Sequence, residues 1–357
     1  MSASIRVALL GNGFARQVML PCLRQVEGVE LAAIASPNLE RARATAREFG
    51  IPFAGADHAE LLQRVRPDLV FIVTPPHRHA GMAIDALAAG CHVVCEKPMA
   101  LDARETERMC AAARAHPRQL ALIDHELRFL PARLELHRLC REGHLGSIRH
   151  AEYLLHSPGR RDPALPWSWW SDRECGGGAL GAIGSHAVDS LRHLLGEVES
   201  VRGSLATLIP QRRDPASGTM RAVTADDYAA AWLRFASGAR ATLLVSTVEG
   251  EREHRLTLAG SEGCARLDEQ QPLRTALGRE PWKTAGAPED LPPSTELGIP
   301  DTDWARAFLR FSRRIVEAVL EGRAQVDGAA TFEDGHRVQR VLDAVRRSEE
   351  RGSWVEV

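Results

Sequence analysis

One stretch constrains the fold of this chain more than any other: residues 70–99, VFIVTPPHRHAGMAIDALAAGCHVVCEKPM. Residues 70–73 form an uninterrupted apolar run, the pattern of a parallel strand buried on both faces. Pro75 and Pro76 stop it. From His79 the apolar residues Met82, Ala83, Ala86 and Leu87 recur at helical spacing, and Gly90 follows as a C-terminal cap. Residues 92–95 are a second short apolar run, closed by Glu96-Lys97-Pro98. Strand, helix and strand in this order predict a right-handed parallel crossover. Both strands then end on the same edge of the sheet, the edge where open parallel sheets bind ligands. Lys97 stands just beyond one of those strand ends, where a reacting group belongs.

The pattern extends in both directions. Residues 5–10 read as a first buried strand leading into Gly11-Asn12-Gly13-Phe14-Ala15-Arg16 and a helical pattern in which Pro21 should introduce a kink. This is the dinucleotide fingerprint with its third glycine replaced by Arg16. The first glycine allows a tight turn, and the second lets the backbone approach a pyrophosphate at the helix N-terminus. Residues 30–35 form the second strand. At its end an NAD-specific site usually carries an acid for the ribose hydroxyls, but this chain has Ser36, then Pro37, with Arg41 a turn later. Ser36 as N-cap and Pro37 as first helical residue account for these positions structurally. A hydroxyl with a nearby arginine also suits a 2′-phosphate, so NADP is the expected cofactor and NAD the alternative. Residues 57–66 and 102–115 read as helices, and 120–123 as a strand ending near His125.

Beyond residue 123 the strand–helix rhythm stops. Residues 131–142 read as a helix, and 148–156, 201–208, 228–235, 240–248, 255–259 and 265–268 as strands, with Ser237-Gly238 and residues 260–263 as hairpin turns. Residues 274–300 read as a long loop, and 332–350 as the final helix. The fold class is therefore an α/β Rossmann domain over residues 1–123, followed by an α+β domain over residues 124–357 with a large, mostly antiparallel open sheet. Strands 228–235 and 240–248 do not alternate cleanly between apolar and polar residues, so both sheet faces are expected to be partly covered. Within the second domain, Gly176-Gly177-Gly178 leads through Gly184-Ser185-His186 to Asp189, and a three-residue spacing puts His186 and Asp189 on one helix face. Trp167, Trp169 and Trp170, with Arg160 and Arg161, precede this segment. They suit either the packing of a domain junction or the stacking of a sugar with the arginines on a carboxylate or phosphate.

The chain has 357 residues, a net charge of -2 and no Lys/Arg-rich run, so nothing points to nucleic acid. No apolar run approaches membrane-spanning length, and residues 7–10 are too short for the core of a signal peptide. Seven irregularly spaced cysteines are expected in a reducing compartment, the cytoplasm by default. Cys91 and Cys95 read as small core residues, and no metal site is expected.

Taken together, the glycine turn, Thr74-Pro75-Pro76 with His79, Glu96-Lys97-Pro98, Arg128-Phe129 with Pro131, the Gly184-Ser185-His186 segment with Asp189, and the ending TFEDGHRVQRVLDAVRRS resemble the glucose–fructose oxidoreductase and inositol dehydrogenase family, Gfo/Idh/MocA. The resemblance covers essentially the whole chain. It implies a Rossmann domain joined to a domain with a large open sheet, and an NAD- or NADP-dependent oxidoreductase acting on a sugar-like or polyol substrate. It also implies a homodimer or homotetramer assembled through that sheet. By the same resemblance Lys97 matches the active-site lysine and His186 the histidine of the catalytic segment. Gly11, Asn12, Gly13, Phe14, Ala15, Ser36, Arg41, Thr74, Pro75, Pro76, His79, Glu96 and Lys97 are the candidate cofactor contacts, and His125, Arg128, Trp170 and Asp189 the candidate substrate contacts. One position departs from the pattern: relatives often carry an aspartate four residues before the histidine, and here it is Ala182. Two rival activities follow from the resemblance, glycoside cleavage through transient oxidation by a retained NAD, and a dinucleotide-binding sensor without turnover.

Overall fold

The structure is a computed structural model that describes residues 4–286 and 289–357. It divides into two compact units: residues 1–100, 104–130 and 290–336, and residues 101–103, 131–289 and 337–357. The expected division at residue 123 treated the second half of the chain as one block. Instead, residues 290–336 return to the first unit.

The first unit holds six parallel strands: β1 (Ile5–Leu10), β2 (Val29–Ala35), β3 (Phe53–Gly55), β4 (Leu69–Ile72), β5 (His92–Cys95) and β6 (Ala121–Ile123). Their order is β6-β5-β4-β1-β2-β3, the doubly wound arrangement, with Ala330–Thr331 added antiparallel beside β6. Every residue of β4 is buried, as its unbroken apolar run requires. Helix His79–Ala88 makes the crossover from β4 to β5, and Gly90 ends it at φ +86°. After β1 the chain forms a π turn over Ala15–Met19 before a short α-helix, Leu20–Leu23, that carries Pro21 in its first turn. The backbone is already helical before Pro21, which offers no N–H to the π turn that precedes it.

Helix Asp303–Leu320 was not anticipated from the sequence. Thr302 caps it, accepting a hydrogen bond from the Ala305 N–H at 3.2 Å. Its apolar face enters the core of the first unit: Phe308 meets Phe71 of β4 edge-on at 5.6 Å, and Phe311 stacks on Phe129 at 4.7 Å. Burying one such ring contributes roughly 1.5–3 kcal/mol, which is why residues 290–336 belong to this unit.

The second unit is built on a nine-stranded sheet. All neighbouring pairs described are antiparallel except Ile148–His156 with Arg240–Ser246, so the sheet is mixed. Strand Tyr228–Phe235 does alternate in burial. Ala229, Ala231, Leu233 and Phe235 point inward, while Trp232 is 56% exposed. The sequence hid this because alanines occupy both faces, so the expected covering of both faces is not seen within the chain. The expected loop over 274–300 contains strands Arg274–Leu277 and Lys283–Thr284 and the helix Ser294–Leu297. Among the described residues no helix is long and apolar enough to cross a membrane, all seven cysteines are free, and no cluster of side chains suits a metal ion.

Candidate functional site

The carboxyl ends of the parallel strands gather the residues singled out in the first unit. Gly11 leaves β1 at φ +122°, and a Cβ there would lie 2.2 Å from the carbonyl oxygen of Val73. Only glycine lets the loop after β1 pass so close to the loop after β4. The Gly11 N–H donates to Ala35 O at 2.8 Å, tying the same turn to the end of β2. Gly13 is the opposite case: nothing lies within 4 Å of where its Cβ would be. Asn12 keeps a buried side-chain oxygen with no partner among the described residues. Ala15 is fully buried and Phe14 packs against the core, fixing the helix start beneath this open space. A tight first glycine, room above the second and an orphaned polar atom beside them fit the phosphates of a dinucleotide.

At the end of β2 the structure corrects one expectation. Ser36 does not cap the following helix and Pro37 does not begin it. Ser36 remains tied to the sheet, its N–H donating to Gly55 O at 3.0 Å. The helix is Leu39–Phe49, and Asn38 is its cap, accepting from the Arg41 N–H at 3.0 Å. Capping therefore does not explain Ser36. Arg41 is exposed on the first turn of this helix.

Thr74, Pro75 and Pro76 form the turn after β4, and His79 joins it to the turn after β5. The His79 ring is fully buried, with Nε2 2.7 Å from Thr74 O and Nδ1 3.1 Å from Pro98 O. Burial lowers its pKa to about 4, against the opposing pull of those carbonyls, so the ring is neutral. A neutral imidazole has one N–H, so it donates to one of these two carbonyls at a time. Lys97, one residue beyond Glu96, is thus held by a turn anchored through His79. The Glu96 carboxylate accepts the Lys97 backbone N–H at 3.1 Å and lies 3.8 Å from Lys97 Nζ. Burial raises the Glu96 pKa and Lys97 opposes the rise. Trp304, at the start of the unanticipated helix Asp303–Leu320, presents its ring 5.9 Å from Nζ, within cation–π range. No periodicity in the sequence marks Trp304, which follows a stretch rich in proline and glycine.

His125 precedes the short helical turn Glu126–Phe129 after β6 and Arg128 lies within it, and both are buried. Arg128 donates to Gly328 O at 3.4 Å and lies 3.9 Å from the Asp334 carboxylate.

The remaining candidates belong to the second unit. Gly176 and Gly178 turn at φ +82° and +115°. A Cβ on Gly177 would meet the Trp169 and Trp170 carbonyls at 2.5 Å. The segment then forms a π turn, Leu180–Gly184, and continues as the helix Ser185–Leu195. His186 and Asp189 are both buried on that helix, and Ala182 is buried in the turn before it. Trp170 is half-buried, tilted against Trp169 at 5.4 Å, with the Arg160 guanidinium 5.5 Å from its ring. Asp226, unremarked in the sequence, anchors the segment. Its carboxylate accepts the Leu180 N–H at 2.7 Å, and its backbone carbonyl accepts the Ala179 N–H at 2.8 Å.

A doubly wound sheet with this glycine turn and a lysine at its carboxyl edge defines a dinucleotide-binding protein of the oxidoreductase type. Residues 5–123 match the oxidoreductase family with an NAD-binding Rossmann fold, and residues 134–266 match the GFO/IDH/MocA C-terminal domain. The chain belongs to the Gfo/Idh/MocA oxidoreductase family. It is 30% identical over 362 residues to an uncharacterized oxidoreductase of Synechocystis, covering 100% of this chain and 97% of that protein. It is also 30% identical over 374 residues to the human glucose-fructose oxidoreductase domain-containing protein 2, covering 98% and 92%. Among solved structures it is similar to levoglucosan dehydrogenase in complex with NADH and levoglucosan, with a TM-score of 0.88, 26% identity and 99% of each chain covered. It also resembles aldose-aldose oxidoreductase from Caulobacter crescentus complexed with glycerol, with a TM-score of 0.80, 26% identity, and 99% and 100% covered.

Proposed function

We propose that this protein moves hydride between a nicotinamide dinucleotide and a sugar-like or polyol substrate, with Lys97 and His186 as its catalytic residues. The observation that carries the reading is Lys97 itself, fixed at the carboxyl edge of the sheet that bears the Gly11 turn. A cation there polarises a carbonyl or alcohol oxygen and exchanges a proton with it. The bound nicotinamide supplies the hydride chemistry. Gly11, Asn12, Gly13 and the helix start beneath them would hold its phosphates. Thr74, Pro75, Pro76, His79 and Glu96 shape the floor on which the rest of it would lie. His186 is assigned by its place in the family motif and would orient the substrate or assist the proton. His125, Arg128, Trp170 and Asp189 are assigned to substrate recognition on the same ground.

The finer cofactor reading is NADP. The solved neighbours include complexes with NADH. Ser36 with Arg41, in place of an acid, is what favours a 2′-phosphate here. For assembly, the exposed outer face carrying Trp232 is where we place the contact of a homodimer or homotetramer. A monomeric sedimentation coefficient would contradict that.

The central test is turnover on a panel of sugars and polyols with each dinucleotide, followed by reduced-cofactor absorbance. Lys97→Met keeps the stem's bulk and removes the charge, so turnover should fall by roughly 10²–10⁴ while cofactor affinity holds. His186→Asn should cost less in turnover and more in KM. Undiminished turnover in Lys97→Met would place the chemistry elsewhere.

A further inference from the structure

The proton chemistry assigned to Lys97 leaves two buried acids beside it unexplained. Asp124 follows β6, and its backbone N–H donates to Cys95 O at 2.8 Å. Its side chain is fully buried, and among the described residues neither carboxyl oxygen finds a donor. Glu96 has one oxygen on the Lys97 side and the other, Oε1, buried with no donor. An ionised carboxylate only accepts hydrogen bonds. Two ionised carboxylates in contact would therefore leave three buried oxygens unsatisfied and two like charges together. A single proton removes one of the two charges and pairs two of the three oxygens, because a protonated Asp124 donates to Glu96, with which it is in side-chain hydrogen-bonding contact.

The surroundings favour that proton. Burial, then Glu126, then Glu96 push the Asp124 pKa well above the usual carboxylate range, and Lys97 opposes them. Two thiols, Cys22 and Cys95, also face Asp124. Cys22 is pushed up to about 12 and Cys95 well above its ordinary value, both chiefly by burial, so neither offers a charge. Glu126 comes from the turn after β6, Glu96 and Lys97 from the end of β5, and Cys22 from the helix after the Gly11 turn.

We infer that Asp124 is a neutral acid at neutral pH that donates its proton in a hydrogen bond to Glu96, leaving Glu96 as a single anion aimed at Lys97. Asp124 is thus a positioning residue that acts on Lys97 through Glu96, and it sets how much negative charge Lys97 sees. The catalytic significance of this arrangement rests on the reading of Lys97 above. The protonation state does not.

The test exploits a feature of the composition: the chain contains two lysines, Lys97 and the exposed Lys283. An amine-acylating reagent, with peptides quantified by mass spectrometry, reports the pH at which each becomes reactive, without substrate or cofactor. Lys283 serves as the internal control. Glu96→Gln removes the anion 3.8 Å from Nζ and should move Lys97 reactivity to lower pH than in the native protein. Asp124→Asn replaces one neutral donor by another and should leave the Lys97 profile unchanged, as should the pH profile of turnover. Infrared difference spectra of the native protein at neutral pH should show a protonated-carboxyl band that Asp124→Asn abolishes. Asp124→Ser, which also donates, takes its place if the amide variant does not fold. A shift of Lys97 in the Asp124 variant equal to that in Glu96→Gln would overturn the inference, as would absence of the band. Failure of every turnover assay, with these results intact, would instead overturn the proposed function alone.

Discussion

The neutral His79 ring gives this protein a built-in sensitivity to acid whose size follows from the structure. Its pKa is about 4 in the fold, against 6.5 when solvated, so the unfolded chain takes up a proton that the folded chain refuses. The stability it contributes is complete above pH 6.5 and is lost as the pH falls from there toward about 4. Full protonation corresponds to about 3 kcal/mol, and about 2 kcal/mol of that is gone by pH ~5. His254, buried against Arg133 and Tyr153, is lowered in the same direction, chiefly by burial and then by Arg133, and adds to the same limb. The two are separated by His79→Gln, whose amide can donate to Thr74 O but does not titrate. Urea midpoints followed by circular dichroism should show the variant somewhat weaker at neutral pH, by about 1–3 kcal/mol for a compromised buried contact. On acidification to pH ~5 it should lose about 2 kcal/mol less than the native chain. Equal losses in the two proteins would refute the assignment and leave the acid limb to His254 and other groups.

Two glycines in one turn should both serve dinucleotide binding but differ in what they cost the fold. Gly11→Ala should destabilise the fold by about 2–4 kcal/mol and abolish dinucleotide binding, because its Cβ would meet Val73 O. Gly13→Ala, with open space around it, should leave the melting temperature unchanged yet weaken dinucleotide binding by about tenfold or more, since the methyl occupies room the phosphates need. Calorimetric titration and thermal melts on both variants check this, and equal melting temperatures in the two would contradict the close approach. Ser36→Asp should weaken NADP relative to NAD by repelling the 2′-phosphate, and a native protein that binds NAD the more tightly would count against the NADP reading.

How much was legible in the sequence depended on whether a signal was local. The β4–β5 crossover could be read because strand, turn and helix each declare themselves within a few residues. His79 was singled out by its motif, but its bridging role depends on two carbonyls from different loops, Thr74 and Pro98, which no spacing reveals. Ser36 was misassigned as a cap because Asn38, two residues on, is an equally good capping residue, and only the strand's hydrogen bond to Gly55 decides between them. Helix Asp303–Leu320 went unread after a stretch rich in proline and glycine, and with it went Trp304 and the return of residues 290–336 to the first unit. Asp124 and Asp226 carried no signal at all. A lone aspartate looks solvated until the fold shows it buried.

Asp226 is where that blindness can be tested against function. Its carboxylate holds the Leu180 N–H and its backbone carbonyl the Ala179 N–H, at the start of the turn that leads to His186. Gly178 packs so closely on it that a Cβ would lie 2.5 Å from its Oδ1. Asp226→Asn keeps an acceptor oxygen of the same reach, whereas Asp226→Ala leaves the Leu180 N–H without its partner and the glycine turn without its stop. All the proposed dinucleotide contacts belong to the other unit, so neither change should alter cofactor affinity. If His186 serves the substrate, the alanine variant should lose about tenfold to a hundredfold in kcat/KM, the scale of a reacting group displaced by about 1 Å, and the asparagine variant much less. Steady-state kinetics beside a cofactor titration separates the outcomes. Loss of dinucleotide binding in Asp226→Ala, or unchanged kcat/KM, would show that the glycine turn does not act through His186.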